Sequence, residues 1–269
     1  MSIQKVLDKV AQTRRRLGKK IVVMPAYNAA TTLEATVREI PPGCVDEIIL
    51  VDDASQDNTV DIGRSLGLTV VAHAATKGYG ANQKTCYRIA LEHGAEAVAM
   101  IHPDYQYDGY LVKAAFELLE SGVCDVLLGN RIRSRWDALS CGMPLYKYFA
   151  NRALTLLENC TLGQNLGDFH SGFRAYVREV LDTIPYEENS DDFVFDTEFL
   201  AQAAYFGFRI ADMPVPCRYF ADASSINFQR SIKYGCGTVV VMAQYLLSRV
   251  GIGRHRRFKR RGDTKLRRL

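Results

Sequence analysis

Five short apolar runs, each stopped by a polar cluster and followed by a helical segment, constrain this 269-residue chain most. Lys20–Met24 (KIVVM) stops at Pro25, and Glu47–Val51 (EIILV) at Asp52-Asp53-Ala54-Ser55; Thr69–Ala72, Ala97–Ile101 (AVAMI) and Asp125–Gly129 (DVLLG) complete the set. Helical patterning fills the gaps at Thr31–Ile40, Thr59–Leu66, Ala81–His93 and Tyr110–Ser121, the first stopped by Pro41-Pro42. Strands alternating with helices at this spacing predict an α/β fold with a parallel, doubly wound sheet. Strands that are apolar throughout are buried on both faces. The polar clusters all follow strands directly, at the carboxyl edge where such sheets bind ligands.

Beyond residue 130 the pattern is less regular. Leu145–Leu157 and Asp192–Tyr205 read as helices, Arg209–Pro216 as a late strand, and Ile232–Val250 as a mostly apolar helix. With no linker or repeat in between, three segments are expected: an N-terminal amphipathic helix over 1–19, one domain over 20–230, and an apolar helix with a basic tail over 231–269. The net charge of +4 is concentrated in that tail, where Asp263 is the only acid after Arg249. A basic tail suits an anionic partner, either lipid or nucleic acid. Nucleic-acid binders interleave aromatics with their basic residues; this tail has only Phe258, so nucleic acid is set aside. An apolar helix too interrupted to span, followed by Arg and Lys, fits an anchor on an anionic membrane surface. A core-packed helix with a solvated tail is the plainer alternative. No apolar signal-peptide core and no run of about 20 apolar residues is present. Seven scattered cysteines read as reduced thiols. The expected location is therefore cytoplasmic, peripheral on the cytoplasmic face of the membrane.

Two constellations carry chemistry. Asp57, Asn58 and Thr59 are good caps for the next helix, but capping leaves Asp52 and Asp53 unexplained. Adjacent carboxylates at a strand tip repel, and a ligand, donor or cation must offset that. His102-Pro103-Asp104-Tyr105-Gln106 follows the fourth strand, and an imidazole and a carboxylate two residues apart can reach one Mg or Mn ion. The plain alternative is a proline turn with a capping Asp.

Taken in order, Pro25-Ala26-Tyr27-Asn28, Val51-Asp52-Asp53-Ala54-Ser55-Gln56-Asp57-Asn58-Thr59 and Lys77-Gly78-Tyr79-Gly80-Ala81-Asn82 resemble the motifs of family 2 glycosyltransferases, which have the GT-A (nucleotide-diphospho-sugar transferase) fold. Gly129-Asn130-Arg131 and Gly167-Asp168-Phe169-His170-Ser171-Gly172-Phe173-Arg174 are similar to the polyprenyl-phosphate sugar transferase branch, which includes dolichyl-phosphate mannosyltransferases. The resemblance covers roughly residues 20–230. It implies a donor site at Pro25, Tyr27, Asn28, Asp52, Asp53, Lys77 and Gly78. Asp104 matches the second acid of the family's Asp-x-Asp metal motif and Gln106 the Gln after it, with His102 standing in for the first acid. Arg131, Ser171 and Arg174 match the acceptor-phosphate region, to which Arg218 and Ser225 add from the loop before the last helix. Glu198 sits where the branch keeps an acid. Ala29 replaces a frequent Glu, so UDP- and GDP-hexose both stay open as donors.

Family 2 enzymes invert the anomeric centre, which implies one in-line displacement. A polyprenyl phosphate acceptor is already anionic and needs no base; a cation, Arg131, Arg174 and Arg218 would screen its approach. A hydroxyl acceptor on a glycan or small molecule requires a base, and Asp191, Asp192 and Asp196 are the candidates. The implied catalytic set is Asp104, Arg131, Arg174 and Asp192. A nucleotide-sugar-binding protein without turnover is a second alternative. A homo-oligomer and a membrane-embedded partner are both compatible with the sequence.

Overall fold

The computed structural model describes residues 14–132, 145–216, 218, 228–253 and 255–261. Seven strands form one sheet: β1 (Lys20–Ala26), β2 (Glu47–Asp52), β3 (Thr69–Ala72), β4 (Ala97–Met100), β5 (Val126–Asn130), β6 (Arg174–Val177) and β7 (Ile210–Pro214). Their order is β3-β2-β1-β4-β6-β5-β7. All pairings are parallel except those of β6, which runs antiparallel to both β4 and β5. Eight helices accompany the strands among the described residues: α1 (Leu33–Glu39), α2 (Thr59–Ser65), α3 (Tyr79–Glu92), α4 (Leu111–Glu120), α5 (Leu145–Leu162), α6 (Arg178–Thr183), α7 (Phe195–Tyr205) and α8 (Phe228–Arg249).

The apolar runs explain the layout. Ile21 to Met24 of β1 and all of β4 are fully buried, as central parallel strands require. From β1 the chain steps outward to β2 and β3, then crosses back to β4 on the other side of β1. The crevice between β1 and β4 is thus the topological switch point, where open α/β sheets bind ligands. Ala26 pairs with Asp52 at the tips of β1 and β2. Because β6 is antiparallel, its first residue lands on the same edge: Arg174 pairs with Met100 and with Leu128.

Several elements differ from expectation. Residues 14–19 lack helical turns; the rest of the expected N-terminal helix, 1–13, lies outside the described residues. The first helix starts at Leu33, because the Thr32 hydroxyl donates to the Pro103 carbonyl (2.6 Å) instead of capping. The helix expected from Asp192 begins at Phe195. β6, absent from the sequence reading, opens with a buried arginine whose strand conformation depends on β4 and β5. After α8, the 3-10 turn Arg256–Phe258 buries Phe258 against Tyr205 (centroids 4.8 Å apart). Burying a Phe contributes about 2–3 kcal/mol. Arg257 reaches Glu198 at 2.9 Å, and Arg261 pairs with Glu187. This part of the basic tail therefore clasps the domain.

Candidate active site

Three loops follow β1, β2 and β4, and each holds one non-glycine residue in the left-handed region: Asn28 (φ 51°), Ala54 (φ 61°) and Tyr105 (φ 58°). Such conformations cost roughly 1–3 kcal/mol and persist where the surroundings over-determine them. The first two loops are laced together. Asn28 Oδ1 accepts from the Gln56 amide (2.9 Å), the Asn28 amide donates to Ser55 Oγ (2.8 Å), and the Ala29 amide donates to Thr59 Oγ1 (2.8 Å). Asp52, buried, accepts from the Ser55 amide (2.9 Å) and hydroxyl. Asp53 accepts from the amides of Lys77 (2.8 Å) and Gly78 (3.0 Å) and contacts His73 Nδ1 (2.8 Å). The repulsion between adjacent acids is thus offset by internal donors, and Asp53 anchors the glycine loop beside β2. Pro25 is buried at the tip of β1, while Tyr27 and Lys77 are exposed at the mouth.

Past the glycine loop, the Gly80 amide donates to the Asp191 carbonyl (2.8 Å). Tyr79 stacks on His102 and Phe193, with centroids 5.6 and 4.7 Å away. Its hydroxyl donates to Asp196 Oδ2 (2.9 Å) and lies 3.3 Å from His102 Nε2. Burial, then Asp196, raises the Tyr79 pKa, so the phenol keeps its proton. Asp104 stands half-buried in the next turn, where Oδ1 accepts from the Gln106 amide (3.1 Å). Arg218 joins this turn: its amide donates to the Gln106 carbonyl (2.9 Å), its guanidinium lies 4.4 Å from the Tyr105 ring centroid, and Glu39 holds it at 2.9 Å. Burial alone would raise the Glu39 pKa, but donors from Tyr105, Gly109 and Arg218 outweigh it and hold it below the ordinary value.

No three His, Cys, Asp or Glu side chains are gathered into a cation site among the described residues. Asp104 and His102 give one carboxylate and one imidazole, and the buried Gln106 gives an amide. That donor set fits a magnesium-type ion held by one or two carboxylates plus substrate phosphates.

The basic residues divide by environment. Arg131, half-buried after β5, makes a bidentate pair with the fully buried Asp168 (2.7 and 3.2 Å). Burial would raise the Asp168 pKa; the Arg131 guanidinium outweighs it and holds the carboxyl at about 2. Arg174 is wholly buried: it pairs with Asp196 (3.2 Å) and donates to the carbonyls of Ser171 (2.9 Å) and Phe169 (3.1 Å). Its geometry is that of a positioning residue for the 167–173 loop. Ser171 is buried in that loop, its hydroxyl accepting from the Phe173 amide (3.2 Å). Asp192 binds Lys233 (2.6 Å), which holds its pKa below the ordinary value. Glu198 accepts from the Ser190 amide (2.6 Å) in addition to Arg257. Ser225 lies outside the described residues. The sequence reading missed Tyr79 and Asp168 as site residues, although both lie inside its quoted motifs.

Gly172 packs against His102. A Cβ there would lie 2.3 Å from His102 Cδ2 and 2.7 Å from Nε2. Gly172→Ala is expected to displace the imidazole, lowering Tm by roughly 2–10 °C through overpacking. If His102 serves the reaction, turnover should fall about ten-fold or more, because misplacement at a reacting centre costs more than stability records. Calorimetry and steady-state kinetics on one preparation check both.

Asp52, Asp104 and Arg174 therefore meet at one sheet edge, Asp52 at a strand end, Asp104 in a loop and Arg174 at a strand start. The glycosyl transferase family 2 profile matches residues 21–184, well over half of the chain. The chain belongs to glycosyl transferase family 2. The similarity to the polyprenyl-phosphate branch is borne out as well. This family 2 chain is 29% identical over 209 residues to a dolichyl-phosphate hexose transferase of Haloferax volcanii, covering 77% of this chain and 86% of that protein. It is 24% identical over 211 residues to a polyprenol monophosphomannose synthase of Mycolicibacterium smegmatis, covering 76% and 78%. Across eight curated relatives of differing description it spans between 37% and 86% of their own lengths. Among solved structures it is similar to Mycobacterium tuberculosis glucosyl-3-phosphoglycerate synthase in complex with Mg2+ and uridine-diphosphate. That match has a TM-score of 0.64 at 20% identity and covers 94% of this chain and 84% of the other. The GT-A fold expected from the sequence is the observed fold.

Proposed function

We propose that this protein transfers a hexose, with inversion, from a UDP- or GDP-hexose to a polyprenyl phosphate on the cytoplasmic face of a membrane. Residues 20–230 form the catalytic domain, and 231–269 help hold it at the anionic surface. The observation that carries the lipid acceptor is the outer surface of the helices that frame the 167–173 loop. Leu145, Phe149 and Leu156 of α5 and Ile232, Val239, Val240 and Leu246 of α8 are each more than half exposed. α8 buries one side on α7 and α5 and remains apolar on the other. Arg249, Arg256 and Arg260 lie exposed at its end. An apolar helix face with a basic flank is the composition of an interfacial surface. No described helix is long and apolar enough to cross a membrane.

The candidate bases favour a phosphate acceptor over a hydroxyl. Asp191 is bound by Lys84 (2.6 Å), Asp192 by Lys233, and Asp196 by Tyr79, Gln83 and Arg174. A general base works best with a pKa near the operating pH, and the Lys233-held Asp192 moves the other way. A phosphate oxygen needs no proton removed. In this reading Pro25, Tyr27, Asn28 and Asp52 shape the base and ribose pocket, while Asp53 orders the Lys77–Gly78 loop toward the pyrophosphate. Arg131 and Arg218 face the acceptor phosphate, and Ser171 and Arg174 hold the loop behind it. Mg or Mn, held at Asp104 with His102 and Gln106 alongside, would neutralise charge on the departing nucleoside diphosphate.

A donor screen with a membrane lipid extract tests this. The expected result is release of nucleoside diphosphate that depends on lipid phosphate, with labelled sugar in the organic phase. Label confined to a water-soluble glycan or small molecule overturns the lipid acceptor.

A further inference from the structure

Behind the 167–173 loop lies a polar cluster that the transfer reaction does not use. It draws one side chain from each of four segments: Glu158 from α5, His170 from the loop, Thr197 from α7 and Tyr234 from α8. Glu158 and Thr197 are buried to 1% exposure or less. The contacts run in a circle. His170 Nδ1 lies 2.6 Å from the Tyr234 hydroxyl, which lies 3.0 Å from Thr197 Oγ1. Thr197 Oγ1 lies 3.4 Å from Glu158 Oε1, and Glu158 Oε2 lies 3.2 Å from His170 Nε2. Those last two atoms are buried and have no other hydrogen-bond partner.

Four contacts need four hydrogens, and the two hydroxyls with a neutral imidazole supply three. If Nδ1–H donates to Tyr234, the Tyr234 hydroxyl donates to Thr197 and the Thr197 hydroxyl donates to Glu158 Oε1. Each hydroxyl has then spent its only hydrogen. A bare carboxylate oxygen would face a bare imidazole nitrogen at 3.2 Å, two acceptors opposed in a dry interior. One proton between them closes the circle.

We propose that Glu158 and His170 share that proton in a closed hydrogen-bond ring, and that the ring positions the 167–173 loop for the acceptor. The positional half rests on the acceptor reading given above; the shared proton does not. Burial and then Asp168 raise the Glu158 pKa well above its ordinary value, while burial pushes His170 down to about 4. Both directions favour a protonated carboxyl donating to a neutral imidazole. The charged groups around the ring are already paired with each other, Asp168 with Arg131 and Arg174 with Asp196. A neutral ring adds no further anion behind a loop meant to receive a phosphate. It also bolts that loop, through which Asp168 clamps Arg131, to the two helices with apolar outer faces.

Glu158→Gln and Glu158→Ala separate this from generic packing. A carboxamide donates to His170 Nε2 and accepts from Thr197, so E158Q keeps the ring; alanine breaks it. E158Q is expected to keep the acceptor KM within about two-fold, while E158A raises it roughly ten- to a hundred-fold with the donor KM unchanged. Nitrogen-15 histidine spectra, with His170 assigned through His170→Gln, should show a neutral imidazole protonated at Nδ1 from pH 6 to 8 in the parent chain and in E158Q. An imidazolium at pH 7 overturns the shared-proton assignment, as does E158Q impaired as severely as E158A. Parallel changes in donor and acceptor KM overturn the positioning role. If no lipid-linked product forms in the parent chain, the acceptor reading fails and the spectra still decide the ring.

Discussion

Asp104→Asn is expected to lower kcat/KM for sugar transfer by roughly 10²–10³-fold, about 3–4 kcal/mol of transition-state stabilisation, with Tm almost unchanged. The substitution is isosteric. The amide oxygen still accepts from the Gln106 amide, the bond that Asp104 Oδ1 makes at 3.1 Å, so the turn holding Tyr105 keeps its shape. What disappears is one negative charge in the turn after β4, which the proposed cation would need. Rates measured across a Mn or Mg titration should therefore lose their metal stimulation in D104N. His102→Ala should cost less, because His102 Nε2 already faces the Tyr79 hydroxyl at 3.3 Å. An Asp104→Asn enzyme with full rate and undiminished metal stimulation would place the cation elsewhere.

The sheet and its ligand-binding edge were legible because β1 to β5 are short apolar runs with polar stops. Burial on both faces leaves that signature in any single strand. β6 escaped because Arg-Ala-Tyr-Val carries no such signature; its strand state comes from pairing with β4 and β5, more than 40 residues away in sequence. Partners were the harder part. Asp52 and Asp53 looked like two carboxylates in need of a ligand, a donor or a cation. Their donors are Ser55, and the His73 to Gly78 stretch some twenty residues on. Adjacency shows that charge must be offset, not which atoms offset it. The tail was ambiguous for a similar reason. Composition gave a basic cluster, yet Arg257 and Arg261 turn inward to Glu198 and Glu187 while Arg249, Arg256 and Arg260 stay exposed.

Arg174→Met should be the most destabilising single change at the site. The guanidinium is wholly buried, and its loss leaves Asp196 an unpaired charge in the interior while freeing the carbonyls of Phe169 and Ser171. Breaking a buried ion pair from one side costs about 3–5 kcal/mol, which for a chain of this size lowers Tm by roughly 6–20 °C. Adding Asp196→Asn removes the stranded charge, so R174M/D196N is expected to recover part of the loss. A coupling energy of about 1 kcal/mol or more between the two sites should appear in a double-mutant cycle. Residual transfer in R174M should show a raised acceptor KM, because the 167–173 loop has lost two of its anchors. If R174M instead melts with the parent chain and fails only in turnover, Arg174 touches a phosphate during the reaction, and the Asp196 pair is a resting arrangement that substrate displaces.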